Sequence, residues 1–155
     1  MRRLWVALGV LVLALAASQP ASAQIAVINT YNAENESGST TGTIASVNAT
    51  GANGLIVAYA WRDGGVTITG VTHNGDALTA VAAKVESTQG SSCQLWYLAS
   101  PDQTTANVVA TFSGAGYGNM QAGAITVSGL DTAAPLLGSQ TANSGAGSTT
   151  PSVTI

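Results

Sequence analysis

The sequence predicts an all-β protein built as an antiparallel β-sandwich, and three observations support that class. Short segments rich in Val, Ile, Thr and aromatic residues recur along the chain, separated by Gly, Asn, Asp, Ser or Pro. Within 54–61, alternate side chains from Leu55 to Trp61 are large and apolar, which is the period of two of a strand. No convincing amphipathic helix follows the N-terminal apolar run, because the period of 3.6 residues is absent.

The first 23 residues predict a cleavable export signal rather than part of the fold. Two arginines precede an uncharged apolar run over 4–17, and 21–23 is the small-x-small pattern that signal peptidases accept. A membrane-spanning helix needs about 20 apolar residues, and this run is shorter. We therefore expect Gln24 to begin the mature chain. The location is then secreted, periplasmic or cell-surface, with no membrane span after cleavage.

The mature chain, 24–155, is the size of one domain, and we expect it to form a single sandwich. The predicted strands are runs of β-branched and aromatic residues that end at turn residues, and they cover 25–29, 43–49, 54–61, 66–73, 77–85, 93–99, 106–112 and 121–128. Because 54–61 has apolar residues on both faces, we expect it to be a central strand with each face at least partly covered.

Turn signals separate these strands. Asn74-Gly75 predicts a type I′ hairpin, since both residues tolerate a positive φ. Pro101 ends the strand before it, because proline cannot donate to a sheet ladder.

The C-terminal part has a different composition. Residues 139–150 are rich in Gly, Ser, Thr and Asn, and 151–155 looks like the beginning of another strand. We expect the sandwich to continue beyond Ile155, leaving an unpaired sheet edge that the full protein covers.

Three segments resemble a broad class of bacterial exported β-sandwich modules with an Ig-like or jelly-roll shape. They are 70–79 (GVTHNGDALT), 94–98 (QLWYL) with Pro101, and 124–131 (AITVSGLD) with Pro135. The resemblance covers roughly Gly54 to Leu137. It implies a fold and an exported location, and it transfers no catalytic residue.

Charge excludes two classes of partner. The whole chain has a formal net charge of −3, and charged residues are 7% of it. Removal of the signal leaves Arg62 and Lys84 against seven acids, a net charge of −5. Nucleic acids require a basic stripe that neutralises phosphates, and anionic membranes attract basic segments. Two scattered cations supply neither, so we expect no nucleic-acid partner.

Cys93 is the single cysteine, so the fold has no internal disulfide. In an oxidising compartment a lone thiol is either buried or a site of cross-linking. Cys93 opens the apolar segment 93–98, and free cysteines are commonly buried, so we expect Cys93 in the core.

No catalytic constellation stands out. His73 is the single histidine, so a Ser/His/Asp triad would have to use it with Asp76 or Asp131. No Gly-x-Ser-x-Gly elbow is present, and we expect His73 to be an exposed side chain beside the hairpin tip. A glycosidase would need two opposed carboxylates, and the glutamates are Glu34, Glu36 and Glu86. Nothing in their spacing opposes two of them, so we expect no enzyme.

We assign no cofactor and no metal site. Calcium is the ion that loop oxygens would suit best, and the candidates are Asn53, Asp63, Asp102 and Asp131. These residue types also belong in turns for backbone reasons alone, and no calcium-loop pattern is present.

The aromatic residues offer sugar contacts. Trp61 and Trp96 are candidates on strands, and Tyr117 is a candidate in a glycine-rich loop. We expect a non-enzymatic exported domain with a structural, adhesive or binding role. One alternative is a carbohydrate-binding accessory module of a secreted hydrolase. Another is a subunit of an extracellular polymer whose open edge pairs with a neighbour's strand, so the expected partner is a polysaccharide or a neighbouring protein subunit.

Overall fold

The structure, a computed structural model, describes residues 24–35, 38–62, 65–81, 85–86, 90–115 and 118–133. The predicted export signal, the 139–150 stretch and the predicted strand at 151–155 lie outside the described residues. Tyr117, Asp63 and Glu36 lie outside them too.

The described chain is all-β, with two antiparallel sheets packed against each other, as the sequence predicts. Its strands are β1 (Ala26–Asn35), β2 (Thr41–Asn48), β3 (Gly54–Arg62), β4 (Ile68–His73), β5 (Asp76–Ala77), β6 (Thr79–Ala80), β7 (Val85–Glu86), β8 (Ser91–Ala99), β9 (Thr105–Phe112) and β10 (Met120–Ser128). Among the described residues none is helical.

Strand pairing in the described chain joins early and late segments. One sheet has the order β1-β10-β3-β8-β6, with β7 also paired to β8. The other has the order β2-β9-β4-β5. If β5 to β7 are counted as one interrupted strand, the described chain has eight strands, and the sheets pair them in the orders 1-8-3-6-5 and 2-7-4-5, with strand 5 contributing to both. Successive long strands therefore alternate between the sheets, which is the pairing pattern of a jelly roll.

The predicted strand at 77–85 is wrong, because this segment crosses from one sheet to the other. β5 pairs with β4, whereas β6 and β7 pair with β8. Leu78 lies between β5 and β6 with its side chain buried, and its N–H donates to the carbonyl of Val71 at 2.8 Å. Burial of that one leucine in the core turns the chain between the two sheets.

The hairpin prediction is confirmed. Asn74 and Gly75 have φ values of 52° and 94°, and His73 pairs with Asp76 across the turn. Two positive φ values in a two-residue loop are the signature of a type I′ turn.

The core lies between the sheets. Alternate residues of β3 point into it, from Leu55 to Trp61, as the period of two predicts. Trp61 meets Phe112 of the opposite sheet edge-on, with ring centroids 5.7 Å apart. The Tyr59 hydroxyl donates to the carbonyl of Gly42 in β2 at 3.5 Å, so this side chain also joins the two sheets.

β1 forms one edge of its sheet and is longer than predicted, ending at Asn35 rather than at residue 29. Tyr31 ties it to the opposite sheet, because its hydroxyl accepts the N–H of Asn48 at 3.0 Å and lies 3.3 Å from the carbonyl of the same residue. At the start of β1, the backbone of Gln24 lies against Gly129, which has a φ of 77°.

Candidate functional site

His73 is fully buried, which corrects the expectation of an exposed side chain beside the hairpin tip. It shares its strand face with Val71, and that face points into the core. Its Nε2 lies 3.3 Å from the carbonyl oxygen of Val47, and its Nδ1 has no partner. Asp76 and Asp131, the proposed triad acids, are both exposed. The described residues therefore bring His73 into the packing and not into a solvent-facing triad.

The two candidate sugar-stacking tryptophans are core residues. Trp61 is 2% exposed, and its Nε1 donates to the carbonyl of Val66 at 3.4 Å. Trp96 is 7% exposed and belongs to the same core cluster. Neither indole presents a face to solvent, so neither can stack on a bound sugar as the structure stands.

Cys93 is exposed, which corrects the expectation of a buried thiol. Along β8, Ser92 and Trp96 point inward, whereas Cys93 and Leu95 point outward. The outward face of β8 is uncovered among the described residues, so an apolar neighbourhood in sequence does not bury this thiol.

The candidate calcium oxygens of the described residues are engaged in hydrogen bonds within the protein. The Asn53 side chain accepts the N–H of Leu130 at 3.0 Å and donates to its carbonyl at 2.7 Å. Asp102 accepts from the Asn74 side-chain amide at 2.9 Å, so both of these side chains join segments distant in sequence. Asp131 accepts the N–H of Ala133 at 3.0 Å, which is the contact that Asp makes when it shapes a turn.

Acidic and metal-ligating side chains do not converge in the described chain. Glu34 is exposed on β1, and for Glu86 the structure describes only its place in β7. Nowhere in the described ranges do three or more His, Cys, Asp or Glu side chains gather to hold a metal ion.

The surface that stands out is the outward side of β10, β3 and β8, which we name the outer face. Strand register places its side chains in three rows, Ile125–Ile56–Tyr97, Gly123–Ala58–Leu95 and Gln121–Ala60–Cys93. Leu95 is 41% exposed, and Ala58 and Ala60 are exposed beside it. The prediction of a central strand with each face at least partly covered is confirmed, since on the outward side Gly54 is buried and Ile56 half-buried, whereas Ala58 and Ala60 are exposed.

One end of the outer face is capped by the chain itself. After β10 the backbone turns at Gly129, and the Leu130 and Val127 side chains lie over Gly54. A Cβ added at Gly54 would lie 2.7 Å from Cδ2 of Leu130 and 2.9 Å from Cγ2 of Val127, so a larger residue here would push these side chains aside. The two hydrogen bonds of Asn53 described above hold Leu130 in place.

The other end of the outer face opens into a polar pocket of about 430 Å³, which we name the end pocket. It is formed where β3 ends and where β8 and β10 begin, and it is lined by Ala60, Trp61, Arg62, Ser91, Ser92, Asn119 and Gln121. Sequence reasoning did not identify Arg62, Asn119 or Gln121 as site residues. The signal available was a polar side chain at the end or start of each of two predicted strands.

Comparison with known proteins found no matching family model, no matching curated protein and no matching solved structure. In the described part of the chain, no helix is long and apolar enough to cross a membrane. The outer face and the end pocket therefore have to be interpreted from their own chemistry.

Proposed function

We propose that this chain is an exported, non-catalytic β-sandwich module that adheres to an extracellular polysaccharide, which lies along the outer face. The observation that carries the proposal is the asymmetry of β3. Its inward side chains are buried, whereas Ala58 and Ala60 on its outward side are exposed beside Leu95. Contiguous uncovered apolar surface on a small domain commonly marks an interaction site.

The shape and chemistry of the outer face suit an extended polymer. Gly123, Ala58 and Ala60 make a low stripe along the middle strands, and Leu95 and Tyr97 stand beside it on β8. Sugar rings present apolar C–H faces as well as hydroxyl groups, so apolar contact and hydrogen bonding are both needed. The outer face provides the apolar contact. The amide and hydroxyl side chains of the end pocket provide the hydrogen bonds.

Retention on insoluble polysaccharides tests this proposal. The mature chain, residues 24–155, would be applied to cellulose, chitin, insoluble β-glucan and mannan, and the retained fraction measured. A charge placed at the centre of the face, Leu95→Lys, should weaken retention about tenfold or more because it puts a cation against the apolar contact. The matched control is Thr72→Lys, an exposed position on the outward side of the other sheet.

The proposal is overturned if the wild-type chain is retained on none of these materials. It is also overturned if Leu95→Lys and Thr72→Lys are both retained as the wild type is. Thermal unfolding of each variant separates loss of binding from loss of fold.

A second candidate function rests on a different observation. At the start of β1, an edge strand among the described strands, Val27 is 58% and Ile28 is 37% exposed, and Ile25 immediately before the strand is 59% exposed. Exposed apolar edge strands are templates for pairing with another chain, so a polymer subunit joined through β1 is the alternative. Size-exclusion chromatography of residues 24–155 tests it, with Val27→Lys expected to dissociate any assembly. A clean monomer at all concentrations would rule it out.

A further inference from the structure

The end pocket is built on the three most central strands of its sheet. Arg62, the last residue of β3, pairs with Ser91 at the start of β8. One pleat further along, Ala60 of β3 lies between Gln121 of β10 and Cys93 of β8. Side chains placed on paired strands keep their positions better than side chains placed on loops. The polar groups of this pocket are therefore held by the sheet itself.

Arg62 and Asn119 are also held side by side. The N–H of Arg62 donates to the carbonyl of Asn119 at 3.2 Å, and the N–H of Gly118 donates to the carbonyl of Arg62 at 3.0 Å. A Cβ at Gly118 would lie 3.0 Å from Cβ of Arg62 and 3.3 Å from its Cδ. The missing side chain at Gly118 lets the aliphatic part of Arg62 lie against this segment. The position of the aliphatic part of Arg62 therefore depends on Gly118.

The chemistry of the lining distinguishes between classes of ligand. Asn119 and Gln121 each carry a donor and an acceptor, and the guanidinium of Arg62 carries five N–H donors. A sugar hydroxyl both donates and accepts, so mixed amide groups suit it. A polyanion would require several cations, and among the described residues that line the pocket Arg62 is the one cation, in a chain whose formal net charge is −3. The volume of about 430 Å³ lies within the range of about 300–1,000 Å³ of small-molecule sites.

We propose that the end pocket binds one unit of a neutral polysaccharide. Arg62, Asn119 and Gln121 hydrogen-bond its hydroxyl groups, and Ala60 contacts its apolar C–H face. This assignment rests on the proposed function, because the same polymer continues along the outer face. Gly118 is a positioning residue, since it acts through the side chain of Arg62.

Titration with soluble neutral oligosaccharides of glucose, mannose and galactose tests the assignment, with residues 24–155 observed by NMR and calorimetry. Arg62→Gln replaces five N–H donors with a shorter, neutral amide, and Gln121→Ala removes the amide altogether, so each should weaken binding about tenfold or more. Gly118→Ala should weaken binding through displacement of Arg62 while every polar group remains. The control Thr72→Ala, on the other sheet, should bind as the wild type does.

The possible results distinguish the role of the end pocket from the role of the outer face. If the wild type binds an oligosaccharide and both Arg62→Gln and Gln121→Ala bind it equally well, the end pocket is refuted while the adhesive function stands. If no neutral oligosaccharide binds, or if charged uronic-acid oligosaccharides bind more tightly, the assignment of a neutral sugar is wrong. If Arg62→Gln abolishes oligosaccharide binding while Leu95→Lys leaves retention unchanged, the pocket stands and the outer face is not the path of the polymer.

Discussion

Replacing Gly129 with alanine tests how Gln24 packs against the end of β10. Gly129 has a φ of 77°, and an added Cβ would overlap the carbonyl oxygen of Gln24 and lie 2.9 Å from its carbonyl carbon. Gly51 provides a matched control, because it has a φ of 79° and nothing within 4 Å of the added Cβ. The two substitutions share the backbone strain and differ in the steric contact.

The magnitudes follow from that difference. A left-handed conformation costs a residue with a Cβ about 1–2 kcal/mol, and this applies to both positions. At Gly129 the obstacle is backbone, which no rotamer change can move, so overpacking adds about 1–3 kcal/mol. We therefore expect Gly129→Ala to lower the free energy of unfolding by about 2–5 kcal/mol and Gly51→Ala by about 1–2 kcal/mol.

Urea unfolding of residues 24–155, followed by tryptophan fluorescence, measures both values. A second pair of proteins that begin at Ala26 removes the two residues against which the added Cβ collides. In that background Gly129→Ala and Gly51→Ala should cost the same. The reasoning is refuted if the two substitutions already cost the same in the longer chain, or if shortening the chain leaves their difference unchanged.

Three further predictions follow from named side chains. Tyr31→Phe removes both hydrogen bonds to Asn48 and should lower the free energy of unfolding by about 1–3 kcal/mol, whereas Tyr97→Phe on the outer face should have little effect. Equal effects in calorimetry would contradict the role of Tyr31 in tying the two sheets together. Burial raises the pKa of Tyr59 far above its ordinary value of 10.0, despite an opposing backbone hydrogen bond. The folded state therefore keeps this proton, and the contribution to stability is complete below about pH 10 and declines as the pH rises further. Ultraviolet titration should show this tyrosine ionising together with unfolding, and its early ionisation in the folded protein would contradict the burial. Native protein should react fully at Cys93 with an aromatic disulfide reagent, and resistance until unfolding would show that the thiol is covered.

The period of two was enough to predict most strands, because inward and outward side chains alternate whatever the tertiary context. The same pattern did not tell which side is inward when both sides are apolar. His73 shares its side with Val71 and is buried, whereas Cys93 shares its side with Leu95 and is exposed. The two errors have different causes. The outward neighbour of His73 is Thr72, so the period of two indicated the inward side, and its place beside the hairpin tip misled the prediction. β8 is apolar on both sides, and a single sequence does not name the side that faces the other sheet.

The candidate site was less predictable than the fold. Arg62 is distant in sequence from Asn119 and Gln121, and these residues meet because β10 pairs with β3. No short sequence motif predicts that β10 pairs with β3, because this pairing depends on the order of all the strands in the sheet. The interruption at Leu78 could not be predicted for a similar reason, because a leucine between Ala77 and Thr79 has the same local pattern whether the strand continues or passes to the other sheet.

The pairing of β1 with β10 affects the order in which the strands can pair while the chain is being synthesised. Ala26 pairs with Ser128, so the first strand meets its partner in the described sheet only after about a hundred further residues have been made. A chain that emerges N-terminus first must therefore carry Ile25 and the apolar beginning of β1, including Val27, without this ladder for most of that interval. Long-range pairings of this kind slow folding, and unpaired apolar strands are the segments through which folding chains aggregate. Among the described strands, the last to be synthesised is thus the one that pairs with the first.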